Sequence, residues 1–297
     1  MQNHVLVAAI VLAAPSALAQ PKFEYGKSEE VEKVKDVEWT AQADAGLVFT
    51  TGNAETTTIS AGVKASRKTG FNKFSIDGSM TYAKSGARVL QDNNGNGMID
   101  DESEITTVDT ITAESYAAKL RYDRFLTKHN SLFVAALASR DRPAGKEKVL
   151  GFQVGYSRQI YKTEKTEAVA EIGYDFSRED LTGGTSLSIH SARAFLGVKS
   201  EMTEGTALDA SLEALTNLNE EDLPTGKDGG FGKDTRLNGK IAISSKIGKN
   251  LSVQTSIELK YDHRPGPLPI KGLAMGFVPE ASKLDTIMKA SLIYQIF

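Results

Sequence analysis

Through most of this chain, apolar residues take every second position and polar or charged residues fill the gaps. Leu251, Val253, Thr255, Ile257, Leu259 and Tyr261 alternate with Ser252, Gln254, Ser256, Glu258, Lys260 and Asp262, and the same period runs through Thr235–Ile247 and Thr286–Ile296. Successive side chains of a strand point to opposite faces, so each such segment is a ribbon with one oily and one wet side. The first ribbon begins at Val37, with Trp39, Ala41, Ala43, Ala45, Leu47 and Phe49 opposite Glu38, Thr40, Gln42 and Asp44. Turn residues bound eleven more: Glu55–Arg67, Lys73–Ser85, Thr112–Phe125, Ser131–Arg140, Lys148–Tyr161, Glu167–Arg178, Leu187–Glu201, Thr206–Asn217, Asp234–Ile247, Leu251–His263 and Lys283–Phe297. Ribbons of about 9 to 13 residues with one face for lipid and one for water are the material of membrane barrels. The expected fold is all-β, a transmembrane antiparallel β-barrel of about twelve strands.

The connections between ribbons add a direction. After a tight first hairpin at Thr50–Ala54, short links at Lys68–Asn72, Leu126–Asn130, Lys162–Thr166, Met202–Gly205 and Gly248–Asn250 alternate with longer ones. The longer ones are Gly86–Ile111, Asp141–Glu147, Glu179–Ser186, Leu218–Lys233 and Arg264–Ser282. Bacterial barrels keep short turns on the periplasmic side, so the expectation is that both termini are periplasmic. A soluble β-sandwich or lipocalin-like barrel would pack its apolar face inward. Ala61, Ala65, Ala118, Ala168, Ala170, Ala192, Ala194 and Ala210 would leave such a core underfilled, and the opposite face is charged at mid-strand.

Composition narrows the class of function. A formal charge of −3 over 297 residues, with no basic cluster, excludes nucleic acid as the expected partner. The chain has no cysteine, which removes thiol nucleophiles, zinc-thiolate sites and disulfide staples. Val5–Ala14, Pro15 and then Ala17-Leu18-Ala19 read as a secretory signal peptide over residues 1–19. Residues 20–36, rich in Glu and Lys, read as a charged periplasmic lead segment, and residues 37–297 as the barrel.

The wet face carries the candidate chemistry. Glu171 and Asp175, Arg193 and Lys199, and Asp209 and Glu213 fall on three consecutive ribbons, an acidic, a basic and an acidic one, where cross-strand pairing is expected. Lys64, Asp77, Lys119, Arg121, Asp123, Arg236, Lys240, Lys246, Glu258, Lys260 and Lys289 share that face. A selective pore concentrates one sign of charge, whereas a filled lumen pairs its charges, so the mixture favours a narrow or largely filled interior.

In the first long link, Asp92, Asn94 and Asn96, then Gly97, Met98 and Asp100, follow the spacing of an EF-hand-type calcium loop, with Glu102 or Glu104 as the substitute for its last ligand in altered geometry. Ser103 stands where a bidentate Glu is expected, so the loop reads either as a modest calcium site or as an Asn/Gly-rich turn cluster. Calcium is the one candidate cofactor. His190, with Ser188 and Ser191 beside it, is the best serine-histidine cluster for a rival reading as a surface-facing lipid hydrolase.

Thr51-Gly52-Asn53-Ala54-Glu55-Thr56-Thr57, set between two amphipathic ribbons, resembles the T-G-N-x-E-T segment of the YdiY-like family of salt-induced outer-membrane proteins. The resemblance implies a Gram-negative outer-membrane barrel and supplies no catalytic residues. The terminal Tyr294-Gln295-Ile296-Phe297 resembles the assembly signal of such barrels, with Phe297 out of phase with the lipid face. The expected function is non-enzymatic, a narrow porin-like channel or an envelope-stabilising protein. Its expected partners are outer-membrane lipids, the barrel-assembly machinery and, for a channel, a small solute or ion. Adhesion or receptor activity through the long loops is the further alternative.

Overall fold

A computed structural model describes residues 37–50, 55–90, 105–142, 144–182, 184–222, 230–267, 280 and 282–296. Twelve strands form in sequence order: β1 Glu38–Thr50, β2 Glu55–Thr69, β3 Asn72–Leu90, β4 Ile105–Phe125, β5 Asn130–Asp141, β6 Lys146–Lys162, β7 Thr166–Leu181, β8 Ser186–Thr203, β9 Thr206–Asn217, β10 Thr235–Lys246, β11 Leu251–Asp262 and β12 Leu284–Gln295. Each pairs antiparallel with its neighbours in the chain, and β12 returns to β1 to close the barrel. Closure leaves no strand edge, so every ladder donor and acceptor can be met without water. The closing seam is the shortest, with Gln42, Ala43, Asp44 and Ala45 opposite Gln295, Tyr294, Ile293 and Leu292. Ile296 lengthens it by donating its amide to the Ala41 carbonyl.

The outer face carries the oily half of the alternation. Leu120, Leu132, Val134, Phe152, Ile172, Leu212, Ile241, Ile257 and Leu292 are all exposed there. Their neighbours one position along the chain point into the lumen, where Lys119, Arg121, Ser131, Gln153, Glu171 and Arg193 are buried. A sheet with apolar residues outside and charges inside inverts the soluble pattern. Burying its outer belt requires lipid.

Most strand boundaries fall within one to three residues of those expected, and the largest difference is at one hairpin. β3 and β4 run on past Ser85 and start before Thr112, so the link between them narrows to residues 91–104. A register shift at Ala83/Lys84 accommodates one extra residue on β4, and Lys84 pairs with Asp109 at 2.6 Å beyond it. A bulge adds twist and lets a hairpin continue outside the belt of a barrel. The candidate calcium loop with Asp92, Asn94, Asn96, Met98, Asp100 and Glu102, the segment 1–36 and Phe297 all lie outside the described residues.

Candidate functional site

The lumen is organised around one aromatic ring. Gly155 on β6 and Gly173 on β7 are register partners on the inward face. A Cβ on Gly155 would lie 2.6 Å from the Ile172 carbonyl and 2.7 Å from the Phe133 ring, and one on Gly173 would lie 2.5 Å from the Val154 carbonyl. The pair forms a bare floor, and Phe133 reaches over it from β5 and is only 1% exposed. A buried ring presents a negative π-face that attracts a cation. The Arg121 guanidinium sits 3.9 Å from the Phe133 centroid and that of Arg193 sits 5.6 Å from it.

The two arginines in turn gather carboxylates from three strands, β4, β7 and β9. Arg121 Nη2 donates to Asp123 Oδ1 at 2.5 Å and to Glu171 Oε1 at 3.0 Å. Arg193 Nη1 donates to the other oxygen of Glu171, Oε2, at 2.7 Å, and its Nε donates to Glu213 Oε1 at 2.5 Å. Asn238 on β10 donates to the second oxygen of Glu213 at 3.2 Å. Alongside, Lys119 Nζ donates to Gln153 Oε1 at 3.1 Å and Gln153 Nε2 donates to Asp175 Oδ1 at 2.7 Å. The result is a continuous polar plug from β4 to β10, with each charge met by a partner of opposite sign or by an amide. Buried charges persist only on those terms.

A second layer of ion pairs lies towards the long-loop end. Glu179 accepts from Arg236 Nη1 at 2.5 Å and pairs with Lys146 at 3.0 Å, while Arg236 also reaches Asp234 at 3.2 Å. Leu181, Leu187 and Ile189 form a small apolar cluster at the same height. Residues 263–267, just after β11, lie against this rim. Arg264 is buried, and the Pro267 carbonyl comes within 2.4 Å of where a Cβ would stand on Gly145, whose φ of +75° also demands glycine. Nearby, Asp141 at the rim accepts from the Ala144 amide at 3.2 Å.

Towards the short-turn end the lumen opens instead into a cavity of 780 Å³ that reaches residues 163–165 and Asn250. Its wall mixes signs, with Lys64 and Asp77, Lys199 and Asp209, and Lys240 and Glu258 among the lining. Glu258 pairs with Lys240 and lies 3.9 Å from Lys289. Among the described residues the interior therefore holds a mixed-charge vestibule towards the short turns and, next to it, the ion-pair cluster of Arg121 and Arg193.

Of the six residues singled out on β7 to β9, the fold joins Glu171, Arg193 and Glu213 directly. Asp175 is tied instead to Gln153. Lys199 and Asp209 face each other as register partners lower down, on the vestibule wall. Phe133, Gln153 and the two glycines escaped the reading of the sequence. β5 is apolar on both faces from Leu132 to Leu137, so alternation does not reveal which side is inward.

His190 lies on the outer face, where its Nδ1 is bonded to the Tyr174 hydroxyl and its ring centroid is 5.0 Å from that of Phe176. Ser191 points the opposite way and is buried inside.

Several solved structures resemble this one at low identity. The NanC porin gives a TM-score of 0.45 at 11% identity, over 87% of this chain and 100% of that one. The translocator domain of the autotransporter NalP from Neisseria meningitidis gives 0.43 at 13% identity, over 90% of this chain and 91% of that one. An anion-selective porin from Comamonas acidovorans gives 0.38 at 9% identity, over 88% and 99%. None of the curated proteins compared with the chain matches it. In sequence, the family described as "Protein of unknown function, DUF481" matches residues 43–296, from the first strand to the end of the twelfth, and the chain belongs to that family.

Proposed function

We propose that this protein is a non-enzymatic barrel of the outer membrane, of the salt-induced type that its Thr51–Thr57 segment resembles, with both termini in the periplasm. It works with a stoppered lumen, stabilising the envelope and passing at most a narrow flow of small ions. The carrying observation is the plug: Arg121 and Arg193 share Glu171 and stack on Phe133 at the height where an open pore would need free width. On this reading the vestibule faces the periplasm, and the partners are outer-membrane lipids and the barrel-assembly machinery.

Planar-bilayer recording tests it. The wild type is expected to give no steps or very small ones, and Arg193→Ser/Phe133→Ser, which removes both cation and seat, is expected to give steps several-fold larger. Wild-type steps as large as those of the double variant would overturn the stoppered reading.

The calcium reading of the Asp92 loop belongs to the same proposal and rests on the spacing of Asp92, Asn94, Asn96, Asp100 and Glu102. With so few formal charges among these ligands, affinity is expected in the range of about 10⁻⁴ to 10⁻³ M. Calorimetric titration of the folded protein should show a heat that Asp92→Asn/Asp100→Asn abolishes. An unchanged heat in that variant would rule the loop out.

A further inference from the structure

The outward-facing arginines of this barrel are treated differently at its two ends. At the long-loop end each outward arginine with a described side chain has a carboxylate. Arg140 pairs with Glu147 at 3.1 Å, Arg142 with Glu147 at 3.2 Å and with Glu114 at 3.5 Å, and Arg178 approaches Asp180 at 3.9 Å. At the short-turn end stand Arg67 on β2, Arg124 on β4 and Arg158 on β6, all exposed. Their neighbours are of another kind. Arg67 lies 5.7 Å from the centroid of Trp39, and Arg124 donates to Asn72 Oδ1 at 2.8 Å and lies 5.8 Å from the centroid of Phe71. Among the described residues, no carboxylate is within ion-pair distance of any of the three.

Their height on the barrel is fixed by register. Arg67 is opposite Trp39 and Phe74, Phe74 is opposite Tyr122, and Arg158 is opposite Asn130, whose side chain accepts from the Tyr156 hydroxyl at 2.5 Å. These aromatics form a girdle of the kind that marks a membrane interface. On β6, Arg158 stands ten residues from Lys148 at the other rim. In a tilted strand that is about 25 Å of height, the thickness of the apolar band of an outer-membrane barrel. The other half of the barrel lacks the feature. Over β8 to β12 the outward positions towards the short turns carry residues such as Leu196, Leu212, Ile243, Val253 and Tyr294, and no arginine or lysine among the described residues.

An arginine at the edge of hydrocarbon gains most from a doubly accepting anion, and the two non-bridging oxygens of a phosphate diester match its fork. We infer that Arg67, Arg124 and Arg158 form a binding face for the headgroups of anionic phospholipids on the β2–β6 side of the barrel. This supplies from the bilayer the counter-charge that the protein supplies itself at the opposite rim. The inference rests on the outer-membrane reading, and it adds a lipid class, a leaflet side and a sector of the barrel. It also gives the barrel a preferred lipid-facing side, with the half β8–β12 left indifferent to headgroup charge.

Trp39 is the chain's single tryptophan, so its fluorescence reports on lipid beside Arg67 without labelling. The full-length protein is folded into vesicles of phosphatidylcholine and phosphatidylglycerol, in which one lipid or the other carries brominated chains that quench indole. Quenching by the brominated phosphatidylglycerol is expected to exceed that by the brominated phosphatidylcholine by about five-fold in relative binding, the size of one interfacial arginine contact. Arg67→Gln should bring the ratio to parity, while Arg140→Gln/Arg178→Gln at the paired rim should leave it unchanged.

Native mass spectrometry then counts retained lipid, and Arg67→Gln/Arg124→Gln/Arg158→Gln should hold fewer phosphatidylglycerol molecules than wild type. Migration of unboiled protein on gels verifies that each variant is folded. Equal quenching by both lipids in the wild type would overturn the headgroup face alone. Loss of the preference on adding millimolar inorganic phosphate would assign the site to free phosphate and also overturn it. If neither brominated lipid quenches Trp39, the membrane reading falls as well.

Discussion

Arg193→Ala is expected to lower the stability of the folded barrel by about 3–5 kcal/mol. The reason is the company Arg193 keeps: its side chain is 1% exposed, and its removal leaves Glu171 and Glu213 facing each other inside the wall with less than their share of positive charge. A buried ion pair contributes little net stability against a well-packed apolar replacement, because desolvation offsets the Coulomb gain. Removing one partner exposes the full desolvation cost of the other. Arg193→Met/Glu171→Gln/Glu213→Gln should therefore recover most of the loss, with Asp123 still paired to Arg121. Urea titration in lipid vesicles, followed by Trp39 fluorescence and by migration of unboiled protein, measures both. A single variant within about 1 kcal/mol of wild type would mean that water already screens these charges and that the plug is wet.

Gly155→Ala has the second largest expected effect, a loss of about 1–3 kcal/mol from adding one methyl group where no space exists. One obstacle is the Ile172 carbonyl at 2.6 Å, which belongs to the neighbouring strand and cannot rotate away; the other is the Phe133 ring at 2.7 Å. Phe133→Ala removes only the second obstacle. Combined with Gly155→Ala, it should cost less than the sum of the single changes by at least about 0.5 kcal/mol, since residues in contact do not act independently. Strict additivity would show that Phe133 does not lie on the glycine floor. The two predictions address successive links of one chain of dependence. Bare backbone at Gly155 and Gly173 lets an aromatic ring lie flat, the ring seats two guanidinium groups, and these neutralise the carboxylates that stopper the lumen.

The vestibule also changes what the mixed charge of the wet face means. As a list of residues, equal numbers of lysines and acids along several strands suggest a lumen of uniform character. In the folded barrel they divide by height. Glu171, Arg193 and Glu213 are locked together in the plug, while Lys199 and Asp209, only a few residues further along the same strands, line a cavity large enough for many waters. The division follows from strand register, because the same-face period of two places every inward residue on the wall but says nothing of how far across the lumen it reaches.

Period-two alternation alone carried the class of fold, the number of strands and most of their ends, because in a single-layer barrel every strand has the same two solvents and each residue's polarity reports its face. Thr206–Asn217 is predicted and observed with identical bounds, and β3 and β4 run longer only where the hairpin leaves the belt and that rule lapses. Charge at Glu171, Arg193 and Glu213 was likewise visible as an inward cluster on three neighbouring strands. Only the closed tertiary structure brought Arg121 of β4 to Glu171 of β7, since that contact crosses the lumen and no local pattern encodes a distance across empty space. It alone also turned Phe133 inward, because β5 is apolar on both faces and its orientation is set by its neighbours. The glycine floor exists for the same reason: Gly155 and Gly173 meet through register, and register belongs to the sheet as a whole.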